Sequence, residues 1–264
     1  MSRILLLPDA PRPLVFAHRG LSLRAPENTM AAFRLALAEG VRGIELDVRL
    51  SADNRPVVIH DRRTGRVAPG QGRSPSGFSV ESTPWPVLSR LDIGLWRGER
   101  WRGERIPLLD EVFEEADGTA YFDIELKSPT IRAIPLAEAV LRSIASAKKG
   151  GAIARRCIVS CFNPFTLAYF KAAAPRIPTA IIWSREFEVP VFLRRGEGRW
   201  LGKVDCLKPE RSLVDQARAR RWKARGWPFL AWTVDSPAEA GRLARLGCDG
   251  FISNEADRLV SGKR

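Results

Sequence analysis

The sequence is poor in histidine, in paired cysteines and in long apolar segments. Only two of its 264 residues are histidines, His18 and His60. Because imidazole is the side chain that ordinarily titrates near neutral pH, acid–base chemistry at that pH must fall on these two residues. The four cysteines form no C-x-x-C pair, which argues against a disulfide scaffold and against a cysteine zinc site.

The apolar segments are too short to indicate a membrane anchor. Residues 4–7 form a brief apolar run before Pro8, which is shorter than the core of a secretory signal. No later run approaches the roughly 20 residues that are needed to cross a bilayer. We therefore expect a soluble, cytoplasmic protein.

Acidic residues are too few to balance the basic ones, and the formal net charge is +13. Much of the excess lies in residues 194–226. Such a surface attracts phosphate-bearing ligands, nucleic acid or an anionic membrane. The other interpretation is a solvated basic face that binds no ligand. Because no nucleic-acid-binding motif accompanies the charge, we expect no nucleic acid partner. Peripheral contact with an anionic membrane stays open.

Short apolar strands alternate with amphipathic segments of helical period along most of the chain. The predicted strands are 14–18, 43–50, 56–60, 120–126, 157–162, 179–183, 204–208, 229–234 and 250–253. The predicted helices are Thr29–Glu39, Ile134–Ala147, Pro164–Ala173, Leu213–Arg225 and Pro237–Leu246. This alternation is typical of a parallel sheet with helices outside it.

One connection breaks the alternation. Residues 51–55 are too few for a parallel crossover, so strand 56–60 should pair antiparallel with strand 43–50 as a hairpin. The other eight strands are the number that closes a (β/α)8 TIM barrel. An open doubly wound sheet is the alternative, although no Gly-rich phosphate loop supports it. We expect one barrel domain over residues 1–264, with the irregular segment 61–106 as a lid-like insertion.

Chemistry-bearing side chains lie late in several predicted strands. Glu45 and Asp47 are two residues apart, so a strand directs both carboxylates to one face. Catalytic groups of a barrel gather at the carboxyl ends of its strands. The other groups in that position are His18, Glu125, Lys127 and Trp232, and Phe162 ends a strand as a candidate pocket residue. Asn28 or Thr29 can cap the first helix, and Glu27 and Asn28 are expected to cap and brace it instead of contacting substrate.

These residues carry a resemblance to a known family. Six motifs resemble the ordered motifs of the glycerophosphodiester phosphodiesterase family, within the superfamily of phospholipase-C-like phosphodiesterases, from about residue 14 to about residue 257. The motifs are His18-Arg19-Gly20, Pro26-Glu27-Asn28-Thr29, Glu45-Leu46-Asp47-Val48, His60-Asp61, Ile124-Glu125-Leu126-Lys127 and Trp232-Thr233-Val234. The ending Ser253-Asn254-Glu255-Ala256 departs from the usual Thr-Asp-x-Pro.

The resemblance implies metal-dependent hydrolysis of glycerophosphodiesters to sn-glycerol 3-phosphate and an alcohol. It implies that Glu45, Asp47 and Glu125 hold the divalent metal and that His18 and His60 are the acid/base pair. It also implies that Arg19 and Lys127 bind the phosphate. An oxygen-only ligand set suits Ca²⁺ or Mg²⁺ better than zinc.

Several alternatives stay open at this point. The pattern does not assign which histidine is the acid, nor whether water or a substrate hydroxyl attacks the phosphate. Trp232 is expected to be a pocket wall, with ordinary core packing as the other interpretation. A phospholipase-D-like enzyme on lysophospholipids, docked through residues 194–226, is the second functional hypothesis. A phosphate-binding protein that has lost catalysis is the third.

Overall fold

The strands and helices follow the predicted alternation closely. The computed structural model describes residues 6–72, 74–116, 118–128, 134–148, 150–185, 194 and 196–261, so residue 73 of the expected insertion and residue 195 of the basic segment lie outside it. The strands are β1 Leu14–His18, β2 Gly43–Leu50, β3 Pro56–Val58, β4 Tyr121–Leu126, β5 Cys157–Cys161, β6 Thr179–Trp183, β7 Cys206–Pro209, β8 Leu230–Ala231 and β9 Gly250–Ser253. The helices are α1 Met30–Ala38, α2 Trp85–Leu88, α3 Leu109–Ala116, α4 Ile134–Ser146, α5 Gly150–Ala154, α6 Pro164–Ala173, α7 Gly198–Leu201, α8 Gln216–Ala224, α9 Pro237–Arg245 and α10 Ala256–Ser261.

Eight of these strands form a nearly closed parallel barrel. Their order is β7-β6-β5-β4-β2-β1-β9-β8, and parallel bridges from Leu207 to Phe229 and from Glu210 to Trp232 join β7 to the segment of β8. The predicted (β/α)8 barrel is therefore confirmed. Strand β3 lies off this path and pairs antiparallel with β2, with Val58 opposite Val48.

The edges of several elements differ from the predicted ones for local reasons. Strand β3 ends at Val58, so His60 follows the strand instead of closing it. Helix α1 begins at Met30 because the hydroxyl of Thr29 accepts the backbone N–H of Ala32, which makes Thr29 the N-cap. Helix α8 begins three residues later than expected because Asp215 caps it by accepting from the N–H of Arg218.

The two faces of the barrel strands have different partners. The outward face packs under the helices through residues such as Leu46, Phe122 and Ile124. The inward face is apolar at the amino end of the barrel, where Phe16, Ile158 and their neighbours fill the interior. Towards the carboxyl end the inward side chains become charged. The site is thus placed on a rigid, closely packed base.

The segment 61–106 has an apolar cluster of its own. Val67, Val80, Leu88 and Ile93 pack there with Val57 of β3. Besides α2, the segment contains short 3-10 turns at Thr64–Arg66, Val80–Ser82, Leu95–Arg97 and Glu99–Trp101. The segment joins the barrel edge through β3, directly after His60.

Within the described ranges, no helix combines the length and apolar character that a bilayer crossing requires.

Candidate active site

The register of the parallel strands brings the predicted acidic residues together. His18 pairs with Glu45 across β1 and β2, and Asp47 pairs with Glu125 across β2 and β4. One carboxylate oxygen from each of Glu45, Asp47 and Glu125 lies within 4.8 Å of the others, and all three side chains are buried. Three buried carboxylates therefore share one cavity at the carboxyl end of the barrel.

The three carboxylates differ in how their charge is compensated. Burial, followed by the charge of Asp47, raises the pKa of Glu45 well above its ordinary value. Burial acts in the same direction on Asp47, but Lys127 and Arg19 outweigh it and hold the pKa of Asp47 well below its ordinary value. An additional cation beside Glu45 would therefore favour its ionised form.

Two predicted phosphate-binding residues supply cations to this cluster. The Nζ of Lys127 lies 3.1 Å from Oδ1 of Asp47 and 2.5 Å from Oε1 of Glu125. The Nε of Arg19 lies 3.2 Å from Oδ2 of Asp47, and the backbone N–H of Arg19 donates to Oε2 of Glu45 at 3.0 Å. Although burial lowers the pKa of Lys127, the carboxylates of Asp47 and Glu125 raise it above its ordinary value.

A third cation, Lys208, lies deeper in the barrel and is a residue that the sequence analysis missed. Its side chain is 2% exposed, and its Nζ lies 2.7 Å from Oδ2 of Asp123 and 3.9 Å from Oε1 of Glu45. The Nζ also donates to Oγ of Ser160 at 3.2 Å, and that hydroxyl donates to Oδ1 of Asp123 at 2.7 Å. Lys208 shares the inward face of β7 with Cys206, and this alternation was the available signal.

The cluster fits a hard divalent cation. Its donors are all carboxylate oxygens, the ligand type that Ca²⁺ and Mg²⁺ prefer. Oxygens on opposite sides of a bound Ca²⁺ lie about 5 Å apart, which matches the 4.8 Å limit within the cluster. The raised pKa of Glu45 is also consistent with a charge that needs a cation. Glu45, Asp47 and Glu125 could therefore hold such an ion.

His18 is fixed by a chain of hydrogen bonds that begins at Asp235. The carboxylate of Asp235 accepts the backbone N–H of Asn254 at 2.8 Å and its Nδ2 at 2.9 Å. Because a carboxylate only accepts hydrogen bonds, the side-chain atom of Asn254 that faces Asp235 is the amide nitrogen. The amide oxygen Oδ1 therefore points towards Nδ1 of His18, at 2.7 Å. Nδ1 of His18 is therefore the donor, and Nε2 faces Glu45, whose Oε2 lies 4.0 Å away.

His60 has a different partner. Its Nδ1 lies 2.7 Å from Oδ1 of Asp61, and Oδ2 of Asp61 accepts Nε of Arg66 at 2.6 Å. Arg66 also donates to Glu27, which pairs with Arg19 at 3.0 Å. The backbone N–H of Ile59 donates to the backbone carbonyl of Asp47 at 2.9 Å, so His60 lies directly after a residue that is paired with Asp47.

Asn28 has a role that differs from the expected one. Thr29 caps the helix, while Nδ2 of Asn28 donates to Oδ2 of Asp47 at 2.8 Å and its Oδ1 accepts the backbone N–H of Asp47 at 3.2 Å. Asn28 therefore positions Asp47. Its φ of 55° places the backbone in the left-handed region that asparagine tolerates.

Trp232 and Phe162 meet where β8 and β5 end. Their ring centroids are 6.0 Å apart in an edge-to-face arrangement. The indole N–H of Trp232 donates to the backbone carbonyl of Lys208 at 2.9 Å, which fixes the ring beside the charged interior. The pair forms an aromatic side to the mouth of the barrel.

A parallel barrel with buried carboxylates, buried lysines and two histidines at its carboxyl end defines the class of α/β-barrel enzymes. Residues 18–258 match the model of the glycerophosphoryl diester phosphodiesterase family, and the chain belongs to that family. The match spans both histidines and all three clustered carboxylates.

Similar proteins agree with this assignment. A glycerophosphodiester phosphodiesterase of Caldanaerobacter subterraneus subsp. tengcongensis is 33% identical over 95% of this chain and 97% of its own length. A phosphodiesterase of Oleispira antarctica, solved in complex with the product sn-glycerol-3-phosphate, has a TM-score of 0.81 and 29% identity. That comparison covers 94% of this chain and 96% of the other. A structure from Silicibacter pomeroyi has a TM-score of 0.79 and 26% identity, and covers 94% of this chain and 92% of the other.

Proposed function

We propose that the protein hydrolyses glycerophosphodiesters to sn-glycerol 3-phosphate and an alcohol, with a divalent cation and the His18/His60 pair. The observation that carries this proposal is the buried cluster of Glu45, Asp47 and Glu125, with Nε2 of His18 4.0 Å from Oε2 of Glu45. Family membership and the product bound to the Oleispira antarctica protein support the substrate class. The substrate is a small phosphodiester.

Phosphodiesters resist hydrolysis because their negative charge repels nucleophiles. A Ca²⁺ or Mg²⁺ ion held by the three carboxylates would supply positive charge to the phosphate oxygens. Arg19 offers a planar fork of donors and Lys127 a point charge, and we assign both to phosphate binding. Their contacts with Asp47 support this assignment, because they place both cations beside the acidic cluster.

We assign His18 as the base and His60 as the acid. Asn254 accepts from Nδ1 of His18, which leaves a lone pair on Nε2. Burial, followed by the charge of Arg19, lowers the pKa of His18 to about 4, so its neutral form prevails at neutral pH. Asp61 holds Nδ1 of His60 at 2.7 Å and so orients the second imidazole, to which we assign delivery of a proton to the departing alkoxide. Attack by water and attack by a substrate hydroxyl use the same two imidazoles.

The remaining predicted residues complete the substrate site. We propose that Trp232 and Phe162 contact the glycerol or alcohol moiety through their ring faces and edges. We also propose that the chain is a single barrel domain in which residues 61–106 cover one side of the mouth. Arg66 of that segment supports this arrangement because it pairs with Asp61 and Glu27 beside the site.

The test is an assay of released glycerol 3-phosphate. Purified protein is incubated with glycerophosphocholine after chelation, and then with added Ca²⁺ or Mg²⁺. We expect no product after chelation, product with at least one of the two ions, and loss of that product in His18→Ala. Full turnover after chelation, or an active His18→Ala protein, would contradict the proposal.

A further inference from the structure

An arginine-lined cavity lies on the outside of the barrel, among β6, α7 and α8. Its volume is about 670 Å³. Its arginines are Arg185, Arg194, Arg199, Arg218, Arg221 and Arg225. No carboxylate lines it within the described part of the chain. Among described residues the cavity therefore has walls of a single charge.

This cavity is separate from the active site. The Trp183 side chain belongs to the apolar layer between strands and helices, as does that of Trp222. The two rings, 5.8 Å apart, contribute to the cavity wall. Ile182, the residue before Trp183 on β6, pairs with Lys208 of β7, whose side chain points towards Glu45 inside the barrel. Because adjacent side chains of a strand alternate, the cavity opens on the helical side and the active site on the barrel axis.

The charge on this wall is incompletely neutralised. Arg221 and Arg225 are exposed, and neither forms an ion pair with a described residue. Burial lowers the pKa of Arg199; Glu197 opposes this effect, while Arg225 and Arg221 add to it. Arg218 of the same wall does have an acidic partner, since its guanidinium lies 3.4 Å from Oδ2 of Asp215. Mutual repulsion of the guanidinium groups would be relieved by a bound anion.

We propose that this cavity binds a multiply charged, phosphate-bearing anion at a site distinct from the catalytic centre. Guanidinium groups present planar pairs of donors that match phosphate oxygens. The volume is within the range of pockets that hold small ligands, about 300–1,000 Å³. The phosphate belongs either to a soluble molecule or to the headgroup of an anionic lipid, and the two sources share this chemistry.

Calorimetric titration with pyrophosphate in metal-free buffer tests the site without turnover. In Arg221→Gln/Arg225→Gln we expect the dissociation constant to rise by at least about tenfold, because two charge-assisted contacts are lost. The matched control is Arg176→Gln/Arg220→Gln, which removes the same charge from exposed positions that do not line the cavity. It should change the constant by less than about twofold. Equal weakening in both proteins would overturn the proposal.

Co-sedimentation with phosphatidylglycerol-containing vesicles distinguishes the two sources. The source is a lipid headgroup if the wild-type protein binds these vesicles but not vesicles of pure phosphatidylcholine, and if Arg221→Gln/Arg225→Gln abolishes that binding. Pyrophosphate binding without vesicle binding identifies a soluble anion. Binding of neither probe by the wild-type protein would overturn the proposal. None of these outcomes depends on glycerophosphodiester hydrolysis, so the two proposals can fail separately.

Discussion

The centre of the barrel and the cavity between α7 and α8 both contain clustered cations, but Lys208 of the centre is buried whereas Arg221 and Arg225 of the cavity are exposed. In the centre, Lys127 lies 2.5 Å from Glu125 and Lys208 lies 2.7 Å from Asp123. In the outer cavity, Arg221 and Arg225 have no carboxylate partner among the described residues. The buried lysine thus lies beside a carboxylate, whereas Arg221 and Arg225 face solvent or a ligand.

This difference has a physical cause. Removing an ion from water costs several kcal/mol even after relaxation, so a buried lysine persists only with close partners. An exposed guanidinium keeps its hydration, and repulsion from its neighbours is screened by salt. The barrel centre therefore depends on each charge that it contains. The outer cavity should tolerate loss of its arginines without loss of fold.

The largest effect is expected from Glu45→Gln, which removes one negative charge from the acidic centre with little change of shape. Because a required ligand of the cation is weakened, kcat/KM for glycerophosphocholine should fall on the order of 10³-fold. Steady-state assays with saturating Ca²⁺ or Mg²⁺ measure this loss.

The control is Glu115→Gln, the same change in an exposed pair with Arg34. Its kcat/KM for glycerophosphocholine should stay within about twofold of wild type, because an exposed ion pair contributes little to stability. A Glu45→Gln protein that kept half of the wild-type activity would argue against the metal assignment.

Lys208→Met should give the next largest effect, on stability. The change leaves Asp123 and Glu45 buried without this cation, so the free energy of unfolding should drop by about 3–5 kcal/mol. Urea denaturation measures the drop. Adding Asp123→Asn removes the unpaired charge and should restore part of the loss. A double variant no more stable than Lys208→Met would count against charge pairing as the cause.

Asn254→Ala should have a smaller effect, on catalysis. His18 loses the acceptor that fixes its Nδ1 proton, so kcat should fall by about 10- to 100-fold. The protein should unfold at nearly the same urea concentration, since Asn254 is only partly buried. The matched control is Asn54→Ala in the exposed turn before β3, which should leave kcat unchanged. Unchanged kcat in Asn254→Ala would show that the imidazole needs no such support.

The smallest effect is expected from Arg221→Gln/Arg225→Gln. If the two regions are separate, hydrolysis of glycerophosphocholine should stay within about twofold of wild type while anion binding is lost. Parallel measurement of kcat/KM and of pyrophosphate binding checks this separation. A tenfold fall in kcat/KM would show that the outer cavity serves the catalytic centre.

Local pattern was sufficient for the barrel and for much of the acidic centre. Alternation of strands and helices predicted the fold, and the two-residue spacing of Glu45 and Asp47 placed both on one face. Strand register then brought Glu125 beside Asp47, a contact that follows from parallel pairing once strand order is known. The roles of these residues remain predictions until activity is measured.

Other parts of the site depend on contacts between distant segments. Asn254 lies 236 positions from His18, and only the closed barrel brings them together. Asn28 was expected at a helix cap because local propensity favours that role, but its left-handed backbone turns the amide towards Asp47. Lys208 was hidden in an apolar strand, since local pattern does not reveal which carboxylates lie across the barrel.

The most direct test is calorimetric titration of the chelated protein with Ca²⁺ and with Mg²⁺, compared with Glu45→Gln. Wild type should take up one equivalent of at least one ion, and the same concentration should restore hydrolysis. Glu45→Gln should bind that ion at least about tenfold more weakly. Equal affinity in both proteins, or complete hydrolysis without any bound ion, would contradict a cation held by Glu45, Asp47 and Glu125.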